Sequence, residues 1–324
     1  MRQVFQKFSN LNILIIGDVM MDTYLWGKVD RISPEAPVPI VSVTKKENRL
    51  GGAANVALNI QSLGATPIIC SVIGDDQEGT EFLKLLDKQK LSREGIIIIP
   101  GRPTTVKTRV IGHNQQIVRV DAETDQQISD EFLGQTFTRV QKIIADQKID
   151  ALIFEDYDKG FLCEELINKT VTLATQNKIL TVVDPKKRNF LCYENVSLFK
   201  PNLKELKEGL KLDIDPRNIS EVNEAIKLLQ DRLHAQIVMV TLSELGVYIS
   251  SENGQKVLPA HIRNIADVSG AGDTVIATAT LCLAAGLDEF KTAAIANLAG
   301  GLVCEQVGVV PISYDLLLSE IENL

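Results

Sequence analysis

The chain has 324 residues, 45% hydrophobic and 23% charged, the ordinary balance of a soluble globular protein able to bury a sizeable core. With 34 Lys and Arg against 42 Asp and Glu, the net charge is −8 and no long basic run occurs, which argues against nucleic-acid or membrane partners. Five scattered cysteines without a C-x-x-C pair read as reduced thiols of a cytoplasmic protein, and His113, His234 and His261 form no ligand-spaced set.

The apolar run Leu11–Ile16 is followed at once by Asp18 and Asp22 and has no cleavage site, so it reads as a first strand ended by those carboxylates. Val38–Val43, after Pro34, Pro37 and Pro39, reads as an isolated strand. Ala53, Val56, Ala57, Ile60 and Leu63 repeat at helix spacing. Ile68–Ile73, Ala151–Phe154, Ile179–Val183 and Ile237–Thr241 are short continuous apolar runs, as buried parallel strands require. Across Thr104–Val120, β-branched residues alternate with Lys107, Arg109, Gln115, Gln116 and Arg119, so one face meets water or a ligand. The run Val275–Leu287 is too short to cross a bilayer. The expectation is one α/β domain over 1–324: a central, mostly parallel sheet flanked by helices, with a small β lid from segments near 19–50 and 101–122.

Ligands of open α/β sheets sit at the carboxyl ends of the strands, so polar groups there matter most. Gly270-Ala271-Gly272-Asp273 precedes a helical run; glycines there let a phosphate approach bare N–H groups at the positive helix end. Asp273 in that first turn is placed to accept a hydroxyl proton, and the dipole is expected to keep it ionised and weakly basic. Asn202 and Glu205, three apart, suit either a hydrated Mg²⁺ or a helix capping box, and spacing alone favours the cap. Thr241–Gly246 is either a hairpin turn or a loop over nucleotide phosphates. Asp18 and Asp22 suit sugar hydroxyls or a plain strand end; Gly51, Gly52 and Asn55 suit a polyol or a loop-to-helix junction. Asp156-Tyr157-Asp158-Lys159-Gly160 and Asp184-Pro185-Lys186 add charge at two further strand ends. There is no P-loop, no dinucleotide fingerprint and no protein-kinase signature.

In this order, Gly51-Gly52…Asn55, Asn202…Glu205 and Asp267…Gly270-Ala271-Gly272-Asp273 resemble the ribokinase-like (PfkB) carbohydrate kinases across essentially the whole chain. Within that family, several stretches are most similar to the members that phosphorylate D-glycero-D-manno-heptose 7-phosphate at C1. They are Gly17–Asp22, Arg31–Pro39, Gly51–Gly64, Thr108–Asp121 and Asp184-Pro185-Lys186. The resemblance implies a cytoplasmic, homodimeric kinase that takes ATP, Mg²⁺ and a sugar phosphate and serves ADP-heptose and lipopolysaccharide synthesis. No H-x-G-H motif is present, so no nucleotidylyltransferase domain is expected.

By the same resemblance Asp273 is the catalytic base, with Gly270, Ala271 and Gly272 as anion hole. Asn202 and Glu205 serve Mg–ATP, Glu205 through water; Ser243, Glu244 and Gly246 lie beside the nucleotide, Asn297 lines the adenine pocket, and a monovalent cation sits near Asp267. Asp18, Asp22, Gly51, Gly52 and Asn55 hold the sugar. A substrate phosphate also needs cations, for which Arg109, Arg119 and Lys186 are the candidates. Val268, Glu155 and Thr23 depart from the family pattern. The rivals are another sugar kinase of the family, which would not need those cations if its sugar is unphosphorylated, and a non-catalytic sugar-binding protein on the same fold.

Overall fold

The computed structural model describes residues 1–112, 115–261 and 263–322; His113 therefore lies outside the described residues. The strands are β1 (Asn12–Gly17), β2 (Val19–Ile32), β3 (Pro39–Gly52), β4 (Thr66–Gly74), β5 (Gly95–Ile99), β6 (Val106–Gly112) and β7 (Gln115–Ala122). They continue with β8 (Ala151–Glu155), β9 (Leu180–Asp184), β10 (Leu198–Phe199), β11 (Ile237–Thr241), β12 (Val247–Ser251) and β13 (Gly254–Leu258). The helices are α1 (Arg2–Lys7), α2 (Ala53–Ser62), α3 (Gln77–Lys88), α4 (Asp130–Asp146) and α5 (Glu164–Gln176). Then follow α6 (Leu203–Leu210), α7 (Ile219–Leu233), α8 (Ala271–Ala284), α9 (Glu289–Val303) and α10 (Tyr314–Glu322).

Among the described residues these strands form two sheets. The larger runs β13-β12-β11-β10-β9-β8-β1-β4-β5, parallel from β5 to β11 with antiparallel β12 and β13 at one end. Side chains of β1 alternate: Ile13 and Ile15 join a core with Val56 and Ile60 of α2 and Ile276 of α8. Leu14 and Ile16 enter the opposite core with Val140 of α4, Leu166 of α5 and Ile226 of α7. Both faces of the strand are thus covered by helices, which is why its sequence is an unbroken apolar run. Each such side chain contributes roughly 1.5–3 kcal/mol through burial. Among the described residues no helix is long and apolar enough to cross a membrane.

The smaller sheet, β3-β2-β6-β7, is the lid. It corrects one expectation. Asp22 does not end the first strand; it lies within β2, a strand of 14 residues paired antiparallel with β3 and parallel with β6. Charged residues such as Lys28, Asp30 and Arg31 lower the apolar content of this stretch, because one face of the lid is wet. The isolated strand expected at Val38–Val43 is also corrected: β3 starts at Pro39 and continues past Val43 to Gly52 at the start of α2.

Candidate active site

α8 starts from Gly270, whose φ of 82° is left-handed and open to glycine without strain. Ala271 N–H donates to the Val268 carbonyl at 3.3 Å and Thr274 N–H to the Gly270 carbonyl at 3.0 Å. Among the described residues the N–H groups of Gly272 and Asp273 have no acceptor outside the helix, and the first-turn geometry leaves them none within it. A Cβ at Gly270 would come 3.0 Å from Asn55 Nδ2, and one at Gly272 would point at Asp184 and Lys200 from 3.7 and 3.9 Å.

Asp273 is 6% exposed. Its Oδ2 accepts from Asn55 Nδ2 at 2.6 Å and its Oδ1 from the Tyr157 hydroxyl at 2.8 Å. Burial pushes the carboxyl up to about 6, against those two hydrogen bonds, which pull it down. The expectation of a weakly basic carboxylate is therefore corrected: desolvation outweighs the helix end and raises the proton affinity of Asp273. Asn55 Oδ1 is buried without a partner among the described residues, an acceptor still available to a hydroxyl. One turn along α2, Asn59 Oδ1 accepts from the Thr274 hydroxyl and from Ile312 N–H, both at 3.0 Å, which ties α2 to α8 beside the base.

The carboxyl ends of β8 and β9 and the residue after β10 bring Glu155, Asp184 and Lys200 to the same place. Lys200, 2% exposed, pairs with Asp184 at 2.8 Å. Burial pulls the Lys200 amine down, but Asp184 and Glu205 outweigh it and hold the cation charged. Glu155 is buried, with Oε2 unpartnered among the described residues; burial, then Asp184 and Asp273, push its carboxyl well above the usual range. Lys186 pairs with Glu205, and its Nζ lies 5.4 Å from the centroid of the Tyr157 ring. Among the described residues no cluster of three or more acidic, His or Cys side chains is arranged to hold a metal unaided. Magnesium keeps several waters and uses one or two carboxylates plus phosphates, and the orphaned Glu155 Oε2 beside Asp184 fits that demand.

Asn202 caps α6. Its Oδ1 accepts from Glu205 N–H at 2.8 Å while Glu205 Oε2 accepts from Asn202 N–H at 2.8 Å, so the capping box favoured by spacing is present. Thr241–Gly246 does join two antiparallel strands, β11 and β12, and Asn202 bridges to Thr241, so cap and turn are adjacent. Ser243 and Glu244 are exposed on that turn, and Gly246 N–H closes it onto the Ser243 carbonyl. Asn297 of α9 donates to the Pro259 carbonyl at 2.8 Å and lines an apolar cavity of about 340 Å³ with Leu258, His261 and Leu298. Another concavity, of about 720 Å³ between β5 and α4, is lined by none of these residues.

The lid supplies the other wall. Asp22 of β2 is paired with Arg109 of β6, and a Cβ at Gly51 would meet the Asp22 carboxylate. Two residues along, Tyr24 stacks on Trp26 and takes Val309 N–H on its hydroxyl, while Arg49 donates to the Val309 carbonyl; the lid is fastened to the main body there. Two sequence candidates are not brought to the base. Asp18 accepts three backbone N–H groups, from Tyr157, Lys159 and Phe161, and so organises the loop after β8. Arg119 sits on the exposed strand β7, held by Asp121 at 2.8 Å. Conversely, Tyr157 and Lys200 carry site geometry without having been singled out individually, and Glu155 was noted only as a departure from the family pattern; for Glu155 and Lys200 a charge directly after an apolar strand was the available signal.

Residues 10–314 match the description pfkB family carbohydrate kinase. The chain belongs to this family. A curated relative, the bifunctional protein HldE of Helicobacter pylori, is 41% identical over 298 residues, covering 91% of this chain. The match spans 63% of that relative, so this chain accounts for under two thirds of its length. Among solved structures, phosphofructokinase-2 from Escherichia coli superposes with a TM-score of 0.79 at 18% identity, covering 97% of this chain and 99% of that one. Ribokinase from Thermotoga maritima gives 0.73 at 17% identity, covering 97% and 100%. The fold of this PfkB protein is accordingly ribokinase-like, and the chain is a sugar kinase whose family uses ATP and a divalent metal.

Proposed function

We propose that this kinase transfers the γ-phosphate of ATP to the C1 hydroxyl of D-glycero-D-manno-heptose 7-phosphate, within ADP-heptose and lipopolysaccharide core synthesis. The observation that carries the reading is the cleft itself: a buried base, Asp273, faces a lid whose inner side bears Arg49, Lys107 and Arg109. A sugar that already carries a phosphate needs cations away from the transferring group, and the lid provides them. The sequence likeness to heptose 7-phosphate kinases includes Thr108–Asp121, which carries Arg109, and Gly51–Gly64, which carries Asn55.

In this reading Asp273 Oδ1 or Oδ2 takes the proton of the sugar hydroxyl as its oxygen attacks the γ-phosphorus and the bond to the β-phosphate oxygen breaks. The N–H groups of Gly272 and Asp273 stabilise the charge on the transferring phosphoryl, with Gly270 and Ala271 shaping that end of the helix. Lys186 and Lys200 neutralise the nucleotide phosphates, and adenine fills the cavity beside Asn297. Magnesium supplies further charge neutralisation, held through water by Glu205 with Asp184 and Glu155 at hand. Ser243, Glu244 and Gly246 border the nucleotide; Asp22, Gly51, Gly52 and Asn55 border the sugar, and Asp18 supports that wall through the loop it orders. A monovalent cation beside Asp267 and a homodimer belong to the same reading. Exposed Val118 and Val120, which alternate with Arg119 on the opposite side of the lid, support the dimer.

An ADP-release assay over sugars and sugar phosphates tests this, with Asp273→Asn as control. Turnover of heptose 7-phosphate is expected; turnover of ribose or fructose alone would overturn the substrate.

A further inference from the structure

The cations facing the cleft differ in one respect: whether an acid already holds them. Arg109 is held by Asp22, Lys186 by Glu205, Lys200 by Asp184 and Arg49 by Glu47. Lys107 is not. Among the described residues its Nζ has no hydrogen-bond or ion-pair partner; it lies 6.0 Å from the centroid of the Tyr157 ring. Its cross-strand neighbour Asp121 is committed to Arg119 through three hydrogen bonds, and nearby Glu123 is committed to Lys159 at 2.7 Å. Three cations and two carboxylates thus meet at this end of the cleft, and the carboxylates are both taken. A half-buried ammonium without a partner is costly to keep in a folded chain, and an anionic ligand removes that cost.

We infer that Lys107 receives the phosphate of a phosphorylated sugar substrate, with Arg119 and Lys159 as flanking charges. The geometry suits a molecule lying across Tyr157: the unpaired Lys107 Nζ and the Glu205-paired Lys186 Nζ lie 6.0 and 5.4 Å from the ring centroid, while the hydroxyl donates to Asp273 at 2.8 Å. A sugar with one hydroxyl at Asp273 would place its far end against Lys107. The candidates read from sequence are thereby reordered. Arg109 and Lys186 serve the lid and the nucleotide side, Arg119 acts only through its place beside Lys107, and Lys107 becomes the residue that distinguishes a sugar phosphate from its parent sugar. The inference rests on Asp273 being the base of a sugar kinase, but not on the sugar being a heptose.

The test compares wild type, Lys107→Gln and Lys107→Arg in steady-state assays with heptose 7-phosphate, fructose 6-phosphate and fructose. For the phosphorylated substrate that wild type prefers, Lys107→Gln is expected to raise KM by about 10–100-fold, as loss of a charged hydrogen bond does. The KM for ATP should stay unchanged, and Lys107→Arg should recover most of the loss. Lys107→Met, which keeps the apolar stem, substitutes if the glutamine variant does not fold. If wild type prefers fructose 6-phosphate and Lys107→Gln loses it, the heptose reading falls and the assignment of Lys107 stands. If wild type prefers heptose 7-phosphate and its KM is unchanged in Lys107→Gln, the assignment falls and the heptose reading stands. A wild type that accepts only fructose, or a KM for ATP that rises in parallel, overturns the assignment of Lys107.

Discussion

The Tyr157 hydroxyl donates to Asp273 Oδ1 at 2.8 Å across 116 positions of sequence. That bond favours the ionised carboxylate, so it works against the burial that pushes Asp273 up to about 6. A base must be unprotonated to act, so kcat/KM of the wild type should fall as pH drops through about 6. In Tyr157→Phe the opposing hydrogen bond is gone and the acid limb should move up by about one pH unit. A pH–rate profile decides it; an unmoved limb would show that Tyr157 only packs.

Asp273→Asn should lower kcat by about 10²–10⁴-fold, the usual contribution of a positioned base. It should also stabilise the fold. The native carboxyl titrates near 6 against 3.8 when exposed, so the native state binds the proton more tightly and stability is lost as pH rises through that window. At pH 8 the asparagine variant should be more stable by roughly 1–3 kcal/mol, with the gap narrowing toward pH 5. Thermal denaturation at the two pH values checks the sign.

Gly270→Ala puts a Cβ into a left-handed residue and 3.0 Å from Asn55 Nδ2. The backbone strain alone costs about 1–2 kcal/mol. Displacement of Asn55 also frees Asp273 Oδ2, so kcat should drop even at temperatures where circular dichroism shows full folding. Retained kcat in the folded variant would refute the coupling.

The Asp22–Arg109 pair is almost wholly buried, with side chains 5% and 14% exposed. Removing one partner strands a charge and should cost about 3–5 kcal/mol in either Asp22→Asn or Arg109→Gln. The double variant should cost less than the sum of the two, because neither charge is then stranded. Urea denaturation of the three variants forms the cycle, and strict additivity would argue that the pair is not coupled.

Glu205 both closes the α6 cap and meets Lys186. Asn202→Ala, which removes the cap alone, should cost about 1 kcal/mol of stability. Glu205→Gln keeps an acceptor for the cap but loses the charge, so its effect should appear in the KM for Mg–ATP and in the magnesium titration more than in Tm. Equal effects of both variants on Tm, with no change in KM, would leave Glu205 a purely structural residue.

The sequence by itself determined the main sheet and the glycine-rich helix start that carries Asp273. Ile13–Ile16, Ala151–Phe154 and Ile237–Thr241 are apolar on both alternating faces, a pattern only a strand covered by helices on both sides requires. Gly270-Ala271-Gly272-Asp273 was legible because glycines and an acid at a helix start are a local matter, settled by backbone geometry within four residues. The lid was half legible. Its alternation showed in Thr104–Val120 but not in β2, whose charged stretch has no local reason to be a strand until β3 and β6 pair with it. Which cations remain free was beyond the sequence altogether. Lys107, Arg109 and Arg119 look alike in one alternating run, and only the tertiary placement of Asp22, Asp121 and Glu123 separates them. The same holds for the basicity of Asp273. Charge pairing and desolvation depend on distances of a few ångströms between segments far apart in the chain, and such distances exist only once the chain has folded.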